Sequence, residues 1–250
     1  MISFDFDKDC CGCHACMNAC PVKAIKMEAN KEGFLLPNVD GNTCIKCGKC
    51  DKACPHLNGA NNIEKYSPES FRDIPSYLYF LDSKEREDSA SGGFVVAAMK
   101  SCLDRGGLVC GCVWDKKMKA IHIVSDKIED LRRMQSSKYV QSEIGQCYSE
   151  IKTFLKQGRN VVFCGTPCQT AGLKTFLGKV DTSNLISICV ICHGTPSPLA
   201  WKKWKLVQEH KYKGKLVYVN MRDKHKKGYA TTCCKYVYDV NGSRKVVERA

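Results

Sequence analysis

The strongest chemical signal in this sequence is the spacing of its cysteines. Cys10, Cys13, Cys16 and Cys20 follow C-x2-C-x2-C-x3-C with Pro21 next, and Cys44, Cys47, Cys50 and Cys54 repeat the pattern with Pro55 next. Three thiolates spaced in this way can wrap one inorganic cluster, while the fourth, turned away before the proline, reaches the neighbouring cluster. The arithmetic assigns Cys10, Cys13, Cys16 and Cys54 to one 4Fe-4S cluster and Cys44, Cys47, Cys50 and Cys20 to a second. Zinc also binds C-x2-C pairs, but its knuckles separate the pairs by about a dozen residues or more, whereas here three thiols of one motif, Cys10, Cys13 and Cys16, follow at intervals of three positions. Cys11 is surplus to both sets and reads as a bystander.

Elements that would position these ligands can be read around them. The stretch VKAIKMEANKEGFLLPNVDGNT between the two runs predicts a strand, a turn at Lys31 to Gly33 and a second strand up to Asn42. Residues 1–58 thus form a small two-cluster unit, and a polar linker, 59–75, leads to a larger domain over 76–250. That domain predicts strands at 76–81, 108–114, 120–125, 160–164 and 185–192. Helices are expected in SASGGFVVAAMKSCLDRGG and near 145–157, 167–177 and 198–210, with a closing hairpin turning at Asn241-Gly242. Such alternation favours a mixed sheet covered by helices. The fold class is therefore α+β for the small unit followed by α/β.

Three loops of the larger domain invite a chemical reading. Ser91, Gly92 and Gly93 open a helix, where free N–H groups and the positive end of the dipole suit an anion; an ordinary helix cap is the plainer reading. Ser136, Ser137, Lys138 and Tyr139 offer hydroxyls, a cation and an aromatic face, or simply a solvated loop. In FCGTPCQTAGL, Thr166 can cap and Pro167 takes the first helical position, leaving Cys168 beside a helix N-terminus, a setting that activates thiols.

Composition narrows the setting. The chain has 250 residues and 19 cysteines, an odd number with uneven spacing that argues against a disulfide framework and for a reducing, cytoplasmic location. No run of about 18 apolar residues predicts a membrane span. Cys102, Cys110, Cys112, Cys147, Cys164 and Cys189 lie in apolar elements and read as packing. Residues 1–60 balance seven lysines against seven acids, so the net charge of +13 belongs to the remainder, and residues 201–227 carry ten Lys and Arg against Glu209 and Asp223. Such a field steers acidic partners. Nucleic acid is disfavoured, because Trp201, Trp204 and Val207 recur at helical spacing and are expected to pack inward.

Taken in order, the two-cluster unit, SASGGF, SSKYVQS, GTPCQTAGL and ICHGTPSP resemble the coenzyme F420 hydrogenase/dehydrogenase beta subunit family, in the subgroup with an N-terminal ferredoxin domain. The first 58 residues resemble a bacterial two-cluster ferredoxin. The resemblance implies a flavin domain with FAD lined by Ser91, Gly92, Gly93, Ser137, Lys138, Tyr139 and Thr166, and hydride exchange with an acidic soluble carrier such as coenzyme F420 or, for single electrons, a ferredoxin. It implies a partner oxidoreductase subunit. It also implies a third 4Fe-4S cluster using Cys168 and Cys192, with His193 as a candidate in the flavin pocket. The family's later C-x2-C pair has no counterpart here: Cys233-Cys234 is adjacent and lies in a predicted strand, whose neighbouring side chains face opposite ways, so the flavin domain reads as shortened at its C-terminal end. The alternative activity is that of a non-catalytic subunit that relays electrons between protein partners.

Overall fold

The computed structural model describes residues 9–59, 74–224 and 233–249. Residues 1–8 of the expected small domain, most of the expected linker 59–75, and 229–232 at the start of the expected hairpin lie outside the described residues.

The cysteine-rich region contains α1 (Ala15–Ala19), β1 (Ile25–Ala29), β2 (Leu35–Val39), α2 (Lys49–Ala53) and α3 (Pro55–Gly59). β1 and β2 form an antiparallel hairpin with Ile25 opposite Val39. At its turn, Asn30 Oδ1 accepts from the N–H groups of Glu32 and Phe34 at 3.1 and 2.9 Å. The two cysteine runs repeat one backbone path. Positive φ occurs at Gly12 and at its counterpart Lys46, and again at His14 and its counterpart Gly48. Each fourth cysteine ends a one-turn helix in an extended conformation, Cys20 at φ −76°, ψ 111° and Cys54 at φ −76°, ψ 117°.

The larger region is mixed α/β. A four-stranded sheet runs in the order β4 (Ala120–Ser125), β3 (Leu108–Trp114), β5 (Val161–Gly165), β6 (Leu185–Cys189), antiparallel between β3 and β4 and parallel across the other pairs. On one face pack α7 (Cys147–Lys156) and α8 (Pro167–Leu177), joining Ile144, Tyr148, Ile151, Leu155, Leu173 and Leu177 to Leu108, Cys110, Val161 and Phe163. Cys13, Ala15 and Ala53 of the cysteine-rich region belong to the same core. The other face takes α5 (Phe94–Asp104) and α6 (Ile128–Met134), through Val96, Met99, Cys102 and Leu131 on Val109 and Val162. The short helix α4 (Ser83–Glu87) precedes α5.

A second, antiparallel sheet is built from β7 (Lys215–Asp223), β8 (Cys233–Val240) and β9 (Ser243–Arg249), with α9 (Pro198–Tyr212) packed on it. The turn at Asn241-Gly242 stands where the sequence predicts it, with φ of 52° and 83°. β7 is the unexpected strand: its charged ends, Lys215 and Arg222-Asp223, obscure the alternation that buries Leu216, Val219 and Met221.

Residues 76–81 do not form a strand. Tyr77 and Leu78 are 87% and 91% exposed, and the segment crosses the start of α5, with the Leu81 N–H donating to Gly92 O at 2.8 Å. A Cβ at Gly92 would strike Tyr79 O, and one at Gly93, whose φ is +91°, would meet Leu81 Cδ1 at 2.5 Å. The two glycines are thus required by the chain's own close approach. Strand β6 stops at Cys189, short of the expected residue 192, and Cys189 is exposed, unlike the packing role expected of it. Trp201 is buried and stacks between Trp114 and Trp204 at 5.0 Å from each. Val207, however, is 63% exposed, because the inward face of α9 continues from Trp201 and Trp204 to Gln208.

Candidate functional site

Two open-mouthed cavities occupy the cysteine-rich region, and their walls sort the eight spaced cysteines. The first, of about 340 Å³, is lined by Cys10, Cys13, Cys16 and Cys54, with Cys11, His14, Met27, Pro37, Pro55 and His56 completing the wall. The second, of about 350 Å³, is lined by Cys20, Cys44, Cys47 and Cys50, with Val22, Ala24, Ile25, Val39, Ile45, Lys46 and Gly48. Each cavity therefore draws three thiols from one run and the fourth from the other. The sequence arithmetic predicts this same crosswise grouping. Among the described residues no three His, Cys, Asp or Glu groups converge as ligands of a single ion would; the thiols ring a space instead.

Backbone donors support both cages. Gly12 N–H donates to Cys10 Sγ at 3.4 Å and Ala24 N–H to Cys20 Sγ at 3.2 Å, contacts of the kind that favour thiolate over thiol and tune a cluster's potential. The inner cage is deeply placed: Cys13, Cys16 and Cys54 are each 8% exposed, whereas Cys47 of the outer cage is exposed. Burial raises the Cys10 thiol and pushes Cys16 up to about 12. Uptake of a metal there must displace strongly held protons, so loading of the inner cage is linked to proton release.

The inner cage is fastened to the α/β body by polar contacts. Gln141 Oε1 accepts from Leu35 N–H at 2.7 Å while its Nε2 donates to Leu35 O at 3.3 Å. Asn18 Nδ2 donates to Gly145 O at 2.9 Å, and Asn18 Oδ1 accepts from the Ser149 hydroxyl at 3.0 Å. Thr175 Oγ1 donates to Ala53 O at 2.6 Å. Gly172 of α8 lies close enough to Cys13 that a Cβ there would stand 3.0 Å from its sulfur. None of these anchors is marked by a motif, so sequence reading passes over them.

Cys11 stands on the wall of the first cavity. The neighbouring Cys13 thiol pushes its thiol up to about 12, and the Cys168 thiol acts on it in the opposite direction. Cys168 stands at the start of α8, where Thr166 and Gln169 form a capping box and Thr166 Oγ1 lies 3.1 Å from Cys168 Sγ. The Cys11 contact raises the Cys168 thiol, against the lowering that a helix N-terminus alone would give. Cys192, the other residue expected at a third cluster, accepts from Gly194 N–H at 3.4 Å beyond the end of β6, and His193 beside it is exposed.

Around β7 the structure gathers the two loops expected at a flavin. Lys224 Nζ donates to Ser91 O at 3.1 Å and Arg86 O at 2.7 Å. Ser136 Oγ donates to Asn220 Oδ1 at 2.5 Å, Tyr139 N–H points at Met221 Sδ at 3.2 Å, and Arg222 Nη1 is 3.5 Å from the Tyr139 hydroxyl. Asn220, Arg222 and Lys224 are the residues that sequence reading misses here. Lys138 is directed otherwise than expected. Its Nζ donates to the carbonyls of Arg133, Gln135 and Ser136 at 2.8, 2.7 and 3.2 Å, closing its own loop, while burial lowers its pKa to about 8. Beneath the loops, His122 Nε2 is 3.3 Å from Cys164 O, its Nδ1 has no partner, and burial lowers it to about 4.

Comparison with known proteins divides the chain in the same way. Residues 9–58 match the 4Fe-4S dicluster domain, and residues 158–241 match the C terminus of the coenzyme F420 hydrogenase/dehydrogenase beta subunit. A pyruvate-flavodoxin oxidoreductase from Trichormus variabilis is 28% identical over 100 residues, covering 40% of this chain and 8% of the relative. A xenon-derivatized structure of the F420-reducing NiFe hydrogenase complex from Methanosarcina barkeri is 17% identical, covering 68% of this chain and 58% of that one, with a TM-score of 0.41. The chain thus spans a small part of the first relative and little more than half of the second. Among the described residues no helix is long and apolar enough to cross a membrane. The chain thus carries a stretch that matches the 4Fe-4S dicluster domain, followed by one that matches the C terminus of the coenzyme F420 hydrogenase/dehydrogenase beta subunit.

Proposed function

We propose that the chain is an electron-transferring subunit of an oxidoreductase, in which Cys10, Cys13, Cys16 and Cys54 hold one 4Fe-4S cluster and Cys20, Cys44, Cys47 and Cys50 the other. The observation that carries this reading is the crosswise lining of the two cavities. A bound 4Fe-4S cluster takes up or gives back one electron at a time. The N–H groups of Gly12 and Ala24 donate to the sulfurs of Cys10 and Cys20, and Ile25 and Val39 wall the second cavity. Cys47 sets the outer cage at the surface, within reach of an acidic carrier or a partner oxidoreductase; Cys13 and Cys54 set the inner cage against the α/β body.

A second, finer reading is favoured by the match over 158–241: FAD between the Ser91–Gly93 and Ser136–Tyr139 loops, exchanging hydride with a soluble carrier of coenzyme F420 type. Flavin supplies the split of a hydride pair into single electrons. The fit is partial. Gly92 and Gly93 are occupied by the chain's own Tyr79 and Leu81, and Lys138 by three carbonyls, which leaves Ser137, Tyr139, Thr166 and the newly found Arg222 for a ligand. Cys168 and Cys192 as ligands of a third cluster belong to this finer reading, with Cys11 a nearer thiol neighbour of Cys168.

Anaerobic purification with iron, sulfide and flavin counts tests both readings. The first expects about eight irons per chain and a paramagnetic signal after dithionite; about four irons, or zinc, overturns the two-cluster assignment. The second expects about one flavin per chain and bleaching by a reduced hydride carrier. Full iron with no flavin leaves the relay and removes the hydride chemistry.

A further inference from the structure

At the end of α9, far in sequence from the cysteine runs, three cations gather on one phenol. Lys211 Nζ, Lys245 Nζ and Arg249 Cζ lie 5.7, 5.0 and 5.9 Å from the centre of the Tyr212 ring. Arg249 Nη2 also donates to the Tyr212 hydroxyl at 2.8 Å and to Gln208 Oε1 at 3.0 Å. Two elements converge to make the cluster: α9 carries Gln208, Lys211 and Tyr212, and β9 carries Lys245 and Arg249. The strand register explains the alignment. Lys245 is opposite Tyr238 and Arg249 opposite Cys234, so both cations stand on one side of β9 with Val247 between them.

Two features show that this arrangement is not complete in itself. The ion pairs identified among the described residues lie elsewhere, at Lys100–Asp104, Lys119–Glu143 and Arg133–Asp130; the nearby carboxylate, Glu209, is turned to accept from Leu216 N–H at 2.9 Å. Cations over an aromatic face gain about 0.5–1 kcal/mol each at exposed sites, and like charges around one ring repel one another unless an anion balances them. Beneath the cluster sits Tyr238, fully buried, its ring 4.8 Å from that of Tyr212. Its hydroxyl has no hydrogen-bond partner, and its electrostatic neighbours are Tyr212, Arg249 and Glu209, which puts that orphaned donor at the same cluster.

We propose that Lys211, Tyr212, Lys245 and Arg249 form a binding site for a phosphoryl group. The Arg249 fork can meet two phosphate oxygens. The Tyr212 oxygen already accepts from Arg249, so its own proton is free to be donated, and the two ammonium groups balance a dianion. Geometry favours a single compact oxyanion over an acidic protein surface, since the cations converge on one ring instead of spreading. It also disfavours single-stranded nucleic acid, because Trp201 and Trp204 are stacked inward and leave no platform for bases. The site is independent of the iron–sulfur reading.

The test uses the full chain, purified anaerobically in phosphate-free chloride buffer, titrated at constant ionic strength with inorganic phosphate, with a nucleoside monophosphate and with a hexaglutamate peptide, binding being followed by calorimetry. One phosphate site per chain is expected. Lys245→Gln and Arg249→Gln should each weaken it about tenfold, the loss of one charge-assisted hydrogen bond. Tyr212→Phe, which keeps the ring and the three cations, should weaken it less. Lys202→Gln on the same helix should change nothing. A nucleotide binding tighter than phosphate identifies a phosphorylated organic ligand, and equal affinities identify the free ion; both support the site. Phosphate binding that is absent, that survives Lys245→Gln in a chain with unchanged thermal unfolding, or that is outcompeted by hexaglutamate overturns it.

Discussion

The two cysteine cages share a backbone and differ in surroundings. Positive φ falls at matched positions, Gly12 with Lys46 and His14 with Gly48, yet one cage lies against the α/β body and the other faces out. Cys13, Cys16 and Cys54 are each 8% exposed, while beside Cys47 the wall residue Ile45 is 61% exposed. A repeated motif therefore makes two unlike sites, because the neighbours rather than the ligands set solvent access. In the proposed relay the outer cage exchanges electrons with soluble partners, and the inner cage passes them through protein toward α8.

Replacing ligands should separate the cages most sharply. Cys47→Ser is expected to halve the iron, from about eight to about four per chain, with little loss of fold. Cys13→Ser should halve it too and also lower the thermal midpoint, because Cys13 belongs to the core shared with Tyr148 and Phe163. Iron analysis beside thermal unfolding checks this; equal midpoints for the two variants would erase the distinction between a structural and a peripheral cage.

Acid should strike the inner side first. His14 and His122 are 1% and 6% exposed, and burial lowers each to about 4 from an ordinary 6.5. With the folded values depressed, the unfolded chain binds more protons between pH 6.5 and 4. Stability is therefore full above pH 6.5 and is lost as pH falls through that window, by about 3 kcal/mol for His122 alone. His122→Phe should flatten the stability profile between pH 4 and 6.5. A profile unchanged from the parent would mean that His122 is not buried as a neutral ring.

What the sequence makes legible follows the range of each interaction. The eight spaced cysteines and their crosswise grouping are local facts, set by intervals of two and three residues and a following proline. The Asn241-Gly242 turn is equally local. The neighbourhood of Cys11 is hidden from the sequence, because Cys168 is brought to it by the docking of α8. The partners of Leu35 and Ala53 are Gln141 and Thr175, ordinary polar residues whose role exists only after folding. Gly92 and Gly93 carry a signal of the right kind and the wrong cause, since Tyr79 and Leu81 supply the close approach. Val207 continues an apolar spacing on paper, but the seventh position after Trp201 is Gln208, and that is the buried one.

Backbone strain offers a further comparison. Gly12 has φ +63°, and a Cβ there would meet the Gln141 side chain and Leu35 O at 2.6 Å. Gly12→Ala combines a left-handed penalty of about 1–2 kcal/mol with overpacking of about 1–3 kcal/mol. Its counterpart Lys46 holds φ 54° at an exposed position. Lys46→Gly should relieve strain and raise stability by up to about 1 kcal/mol. Denaturant titration of the loaded chain measures both, and opposite signs at matched positions are the expected result.

A last contrast tests what holds the inner cage in place. Gln141 makes two hydrogen bonds to the Leu35 backbone, at 2.7 and 3.3 Å, and packs on Gly12. Gln141→Ala would leave a part-buried N–H without its acceptor, a cost of about 1–3 kcal/mol. Gln141 lines neither wall, and the Gly12 it packs on lies between the inner-cage ligands Cys10 and Cys13. Iron release to a chelator should therefore accelerate from the inner cage and keep its parent rate from the outer one. Acceleration from both cages would mean that the hairpin carries the disturbance across, and that solvent exposure alone does not distinguish the two sites.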